Sequence, residues 1–305
     1  MITSVFRKAW KSETLKLHLV GACNVHLARG LLFHIGADTG EGNLKMVGPV
    51  FPLDDNRFEY VPSGSPENAW GGCDPRTYRD ISARNSNYGT TLADFLPNSL
   101  EGVHPHIDPE FEGLTYGEPD QVTRRINTVR GLRPRDILFF VASLSPYDPS
   151  IYRGDRSAVQ KYQIGKKNKF VIGFFKISGT AFVLLRKGSI TITRMMGRIE
   201  ESNLRKNHHY TRMCSGKTYN AIIWVGDPFP RSALLHHAIR LTEKYDKTSF
   251  LLNSLGKRLL GGRERDTLRG GRWVSDLSII VDEILIRNPE ITQDYPELRR
   301  VLLDR

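Results

Sequence analysis

Ile137-Leu-Phe-Phe-Val-Ala-Ser143 and Phe170-Val-Ile-Gly-Phe-Phe-Lys-Ile177 are two apolar runs dominated by aromatic and branched aliphatic residues. Continuous apolar runs of this length read as strands buried on both faces. The polar segment between them, 145 to 169, carries Lys161, Lys166, Lys167 and Lys169 and reads as a long surface loop. On the N-terminal side, Val122, Ile126 and Val129 recur at i, i+4 and i+7, predicting an amphipathic helix over Asp120 to Leu132 with Asp120 as its N-cap. Its other faces carry Arg124, Arg125 and Arg130, and Arg133 and Arg135 flank Pro134 in the turn that follows. On the C-terminal side, further strands are expected near Phe182 to Ile192 and over Asn220 to Val225. A helix is expected from Ser232 to about Lys244, and others over 276–286 and 296–303.

From Leu31 to Pro119 the chain is rich in Gly, Pro, Asp and Asn, so short strands and ordered loops are expected, with one short helix over Thr90 to Leu96. Three parts result: a basic N-terminal extension, 1–29; a main domain, 30–245; and a C-terminal part, 246–305, with a flexible basic loop over Gly256 to Gly271 and then helices. That glycine-rich loop has no GxxxxGK[ST] spacing, and no GxSxG elbow occurs in the chain.

The 305 residues hold 44 Lys and Arg against 33 Asp and Glu, a formal charge of +11. Such a surplus favours an anionic partner, because each phosphate neutralised releases condensed counterions. Cys23, Cys73 and Cys214 lie far apart and match no zinc or disulfide spacing, which suits a reducing compartment. No apolar run approaches the ~20 residues of a membrane span, so a soluble, cytoplasmic protein without membrane contact is expected.

The arginine-bearing helix, the Leu132-Arg-Pro-Arg-Asp136 turn and the two apolar strands resemble the PUA-like superfamily, in its EVE, YTH and ASCH branches. There the helix leads through a Gly-Asp turn into the first strand; here Arg135 stands at the glycine, where φ > 0 is costly for arginine. A narrower resemblance spans Leu31 to about Thr242. His34-Ile-Gly36, Gly48-Pro-Val-Phe51, Arg57-Phe-Glu-Tyr-Val-Pro62, Thr77-Tyr-Arg-Asp80, His106-Ile-Asp-Pro-Glu-Phe111, Thr115-Tyr-Gly117 and Asn207-His-His-Tyr-Thr-Arg212 are similar, in order, to the third family of nucleotide modification associated domains. The resemblances imply an α+β fold, with a PUA-like mixed β-barrel, N-terminal insertions and C-terminal helices, and a place in a nucleotide-modification system.

Polar side chains gather at His104-Pro-His106-Ile-Asp108-Pro-Glu110 and again at Asn207, His208, His209 and Arg212. In an extended segment His104, His106, Asp108 and Glu110 would share one face, which suits proton transfer or a divalent ion; a Pro-rich turn is the bland alternative. Asn207, His208, His209 and Arg212 suit base edges and phosphates, or form a solvated loop. Tyr78 and Tyr116, beside Gly, Asp and Arg, are the expected aromatic walls for a stacked base. The leading expectation is recognition of a modified or flipped base in nucleic acid, DNA before RNA. Tyr78, Tyr116, Asn207, His208, His209 and Arg212 would then form the pocket, while Arg124, Arg125 and Arg130 hold the backbone. The alternative is a nucleotide- or base-modifying enzyme using His106, Asp108 and Glu110. No metal-ligand set and no cofactor are assigned.

Overall fold

The two apolar runs become antiparallel neighbours in the computed structural model, which describes residues 27–35, 47–65, 76–120, 124–147, 167–186, 189–211, 219–246, 249–266 and 271–303. The strands are β1 (Gly30–His34), β2 (Gly48–Phe51), β3 (Arg57–Phe58), β4 (Ser63–Ser65), β5 (His104–His106), β6 (Thr115–Pro119), β7 (Ile137–Pro146) and β8 (Asn168–Arg186). They continue as β9 (Ser189–Gly197), β10 (Tyr219–Gly226), β11 (Ser232–Arg240), β12 (Thr242–Asp246), β13 (Ser249–Leu252), β14 (Arg265–Asp266) and β15 (Arg272–Trp273). The helices are α1 (Arg124–Arg130), α2 (Glu201–Lys206), α3 (His208–Thr211), α4 (Ser254–Leu259), α5 (Leu277–Arg287), α6 (Pro289–Gln293) and α7 (Leu298–Leu303).

Five strands close on themselves. β7 pairs with β8, β8 with β11, β11 with β3, β3 with β2, and β2 returns to β7 in parallel, giving a mixed β-barrel in an α+β fold. Closure removes the exposed edges that a central strand this apolar would otherwise present. Phe140 and Phe175 meet inside at 4.7 Å, edge to face. The other face of β7 is covered as well, since every residue from Ile137 to Ser145 is buried. Gly173 of β8 is glycine because a Cβ there would sit 2.6 Å from the Phe111 ring.

β8 is long enough to serve two layers. Its first half is barrel; its second half carries β10 and β9, and β6 extends that sheet beyond β10. The β stretch expected near Phe182 to Ile192 is therefore the end of β8 and the start of β9, which pair antiparallel. The short helix expected before Pro97 is a 3₁₀ turn over Leu92–Phe95 with a Thr91/Asp94 capping box.

At Leu132–Asp136 the chain passes from α1 into the barrel. Asp136 is fully buried and accepts from the backbone N–H of Arg29 and of Arg133, each at 3.0 Å, and from the Arg29 guanidinium at 2.7 Å. Arg29 in turn stacks over Trp273 at 4.1 Å. Arg135 takes φ 81°, so the glycine-like conformation is kept by an arginine. It is held there by backbone bonds from Arg135 to Ile177 and from Ile177 to Asp136, both 2.8 Å.

Two expectations are corrected. Ser232 to Lys244 is no helix: it forms β11 and the start of β12, and β11 closes the barrel. Its register jumps from Leu234 opposite Gly173 to Ile239 opposite Val171, so the chain bulges around His236 and His237. That bulge spaces Leu235, Ala238 and Leu241 like a helix face while the ladder supplies the hydrogen bonds. The basic stretch from Gly256 is likewise ordered. It holds most of α4, capped where the Asn253 side chain accepts from Gly256 N at 2.8 Å, then a turn at Gly261 and Gly262 and strand β14; residues 267–270 lie outside the described residues.

The C-terminal part is built into the main body. β15 hydrogen-bonds to β1, and Ile280, Val281, Ile284, Leu298 and Leu302 join the same apolar core as the barrel phenylalanines. Among the described residues no helix is long and apolar enough to cross a membrane. The N-terminal extension up to residue 26, the three cysteines, Lys161, Lys166 and Arg212 lie outside the described residues.

Candidate functional site

β6 is the floor on which the two polar clusters meet. Leu204 of α2 and Tyr210 of α3 are buried against Ala181, Val183 and Ile223 of β8 and β10, which pins both short helices to the sheet. Asn207 lies between them and is fully buried. Its amide donates to Thr115 Oγ1 of β6 at 3.1 Å, and its carbonyl accepts the His209 N–H at 2.9 Å. Gly117 makes the approach sterically feasible: a Cβ there would fall 2.6 Å from His209 Cδ2 and 2.7 Å from Asn207 Oδ1.

From the other side come His106 and Asp108. The extended run expected through Glu110 ends at β5, because Asp108 N donates to His106 O at 2.9 Å and turns the chain. The Asp108 carboxylate accepts the Gly117 N–H, with oxygens at 3.0 and 3.1 Å. His209 Nε2 lies 3.2 Å from Asp108 Oδ2, and both side chains are almost wholly buried. The His106 ring stacks on His208 at 4.2 Å and lies 5.0 Å from His209. Residues a hundred positions apart thus form one group. Glu110 turns elsewhere, accepting Glu112 N at 2.8 Å and Gly113 N at 2.6 Å, and its burial raises its carboxyl above the usual range. His104 likewise leaves the group, with Nδ1 3.1 Å from Arg76 O.

A cleft of about 870 Å³ opens beside this group. His208 and Glu110 line it together with Glu59, Tyr60 and Phe111. Arg76, Arg205 and Lys206 stand around it with exposed side chains, the Arg84 guanidinium donates to Leu235 O at 3.1 Å, and Phe229 adds an aromatic ring that is 55 % exposed. Burial, and after it the nearby charge of Asp108, holds the Tyr60 phenol well above the ordinary tyrosine range. Glu59 accepts the N–H groups of Arg84 and Asn85 at 3.0 and 3.1 Å, yet its burial still raises its carboxyl.

Tyr78 and Tyr116 are not cleft walls. Tyr78 is fully buried in the N-terminal cluster with its hydroxyl donating to Pro62 O at 2.6 Å, and Tyr116 packs between Phe33, Phe140 and Trp224 with its hydroxyl on Glu118. Each aromatic gains more from core packing than a neighbouring Gly or Arg in sequence suggests. Arg130 pairs with Asp120, tying α1 to the end of β6, and Arg124 and Arg125 begin α1. Phe229 and Tyr60 are the aromatics that sequence reading missed. Phe229 carried a signal, since it sits between Pro228 and Pro230, where a ladder strand is excluded and an exposed turn follows.

No curated protein and no solved structure matches the chain. The family model for nucleotide modification associated domain 3 matches residues 29–279, from just before β1 into α5. That span takes in the whole barrel, both polar clusters and β15, and it passes the boundary at 245 expected from sequence. On this match over most of its length, the chain belongs to the nucleotide modification associated domain 3 family.

Proposed function

We propose that the barrel is a PUA-like, EVE/ASCH-like module that recognises a modified or extruded base, in DNA before RNA, within a nucleotide-modification system. The observation that carries this reading is the cleft itself. It combines the Tyr60 phenol, an exposed phenyl ring and polar side chains inside with arginine and lysine at its edge. A base taken out of its stack needs an aromatic face and a few fixed polar groups, and its flanking phosphates need cations. Phe229 takes the stacking role first assigned to Tyr78 and Tyr116. Arg205, Lys206 and Arg76 take the backbone role first assigned to α1. The alternative, a nucleotide- or base-modifying enzyme, is favoured by one observation, the buried Asp108–His209 contact next to the cleft.

Fluorescence anisotropy with single-stranded and duplex oligonucleotides, modified and unmodified, tests the reading across a salt series. Binding should weaken with salt by about 0.9 log units per log unit for each phosphate contact on duplex. Arg205→Ala and Lys206→Ala should each lower that slope by about one contact. Phe229→Ala should cost about 1–3 kcal/mol of single-strand affinity with the slope unchanged. Binding that ignores salt, or that survives all three substitutions intact, sinks it.

A further inference from the structure

We propose that His106, Asp108 and His209 form a binding site for one first-row divalent cation, zinc being the reference ion. Among the described residues this is the one group of three His, Cys, Asp or Glu side chains whose ligand atoms all lie within 4.8 Å of one another. Two imidazoles and a carboxylate are a donor set that such cations take with three protein ligands, leaving a position for water or a ligand oxygen. The closest pair already has the right span. Two bonds of about 2.1 Å meeting near 100° separate their donor atoms by about 3.2 Å. His209 Nε2 and Asp108 Oδ2 are 3.2 Å apart. A cation bound to all three would draw in atoms that now lie up to 4.8 Å apart by about 1.5 Å, so the His106 side chain has to move toward the other two.

The supports around the group are those of a metal site. The Gly117 N–H fixes the Asp108 carboxylate, Asn207 holds the His209 backbone, and His208 lies flat against His106. Outer partners of this kind orient ligands before the ion arrives. A hydrogen bond between Asp108 and His209 alone would account for that pair, but not for a second imidazole brought to the same point from β5. His208, stacked on His106, lines the cleft, so its ring lies between the cleft and the three ligands. The inference stands apart from nucleic-acid recognition, since the metal binds the protein whether or not a base does.

The test uses the full chain without a histidine tag, stripped of metal and titrated with Co²⁺ and Zn²⁺. One equivalent of Co²⁺ should bring visible d–d absorption that Zn²⁺ then displaces, and Zn²⁺ should raise Tm. Asp108→Asn keeps an acceptor for the Gly117 N–H and so preserves the fold, yet it should abolish the spectrum. His106→Ala and His209→Ala should each weaken binding by more than the roughly 10–100-fold that losing an outer partner causes. His208→Ala, which removes a ring but no ligand, should keep the one-to-one stoichiometry. No spectrum with the wild type, or binding unchanged in both Asp108→Asn and His209→Ala, overturns the site. Neither result bears on salt-dependent binding of oligonucleotides, which is measured separately.

Discussion

Two buried aspartates, Asp136 and Asp108, sit at opposite kinds of junction. Asp136 lies where α1 turns into the barrel, and its carboxylate meets a guanidinium and two backbone N–H groups. Asp108 lies between β5 and β6, and its carboxylate meets one backbone N–H and an imidazole. Arginine is charged at every working pH, so the Asp136 junction is locked once folded. Imidazole is a metal donor where guanidinium is not, so the Asp108 junction suits the cation proposed above. Burial therefore does different things: at Asp136 it holds elements together, and at Asp108 it holds a carboxylate against an imidazole.

If that contrast is right, Asp136→Ala is the most damaging change. It leaves two backbone N–H groups without their acceptor and strips the partner from Arg29, for a loss of about 3 kcal/mol. Urea denaturation measures it; a loss below 1 kcal/mol would show that water replaces the carboxylate. At the other junction the sharper probe is Gly117→Ala, because the added Cβ would meet His209 and Asn207. The expected loss is about 1–3 kcal/mol from overpacking, with Co²⁺ binding lost while the barrel persists. Unchanged stability and metal affinity would mean that the 207–209 segment does not rest on β6.

The barrel strands were legible because their signal is local. Ile137 to Ser143 and Phe170 to Ile177 are apolar without interruption, and burial on both faces requires that. β11 was misread because a bulge imitates helical spacing and pairing to β8 is invisible in the residues themselves. Both halves of the site were also visible, as His106/Asp108 and as Asn207 to His209. What could not be read was that they meet, since β6 brings them together through hydrogen bonds to Thr115 and Gly117. The group of His106, Asp108 and His209 draws on both clusters, so no single stretch of sequence displays it.

A third buried carboxylate, Glu59, separates burial from charge pairing. Its folded-state carboxyl is raised, chiefly by burial, against a usual value near 4.3. A raised value means that its contribution is full below the unfolded value and is lost as pH rises through the folded one. Glu59→Gln keeps an oxygen for the N–H groups of Arg84 and Asn85 but cannot titrate. As pH falls from above the folded value to below the unfolded one, the wild type should therefore gain stability relative to the variant. A gap that is constant with pH, in denaturation midpoints at both ends, would contradict the raised value.

The smallest effect concerns the residue beside Asp136. Arg135 holds φ 81°, a conformation that costs a residue with a Cβ roughly 1–2 kcal/mol. Its backbone bonds to Ile177 and the anchoring of Asp136 leave the turn no cheaper path. Arg135→Gly removes the steric cost, but glycine also gives the unfolded chain more freedom, returning about 0.4–1 kcal/mol. Loss of the side chain is a separate effect, so the informative comparison is between Arg135→Gly and Arg135→Ala, which lack it equally. At an ordinary right-handed position the alanine variant would be the more stable. Here the glycine variant should exceed it by about 1 kcal/mol in urea denaturation, because only alanine keeps the Cβ that clashes at positive φ. The reverse order would mean that the turn relaxes out of the left-handed region, and that Asp136 alone, not the backbone around it, sets the entry of α1 into the barrel.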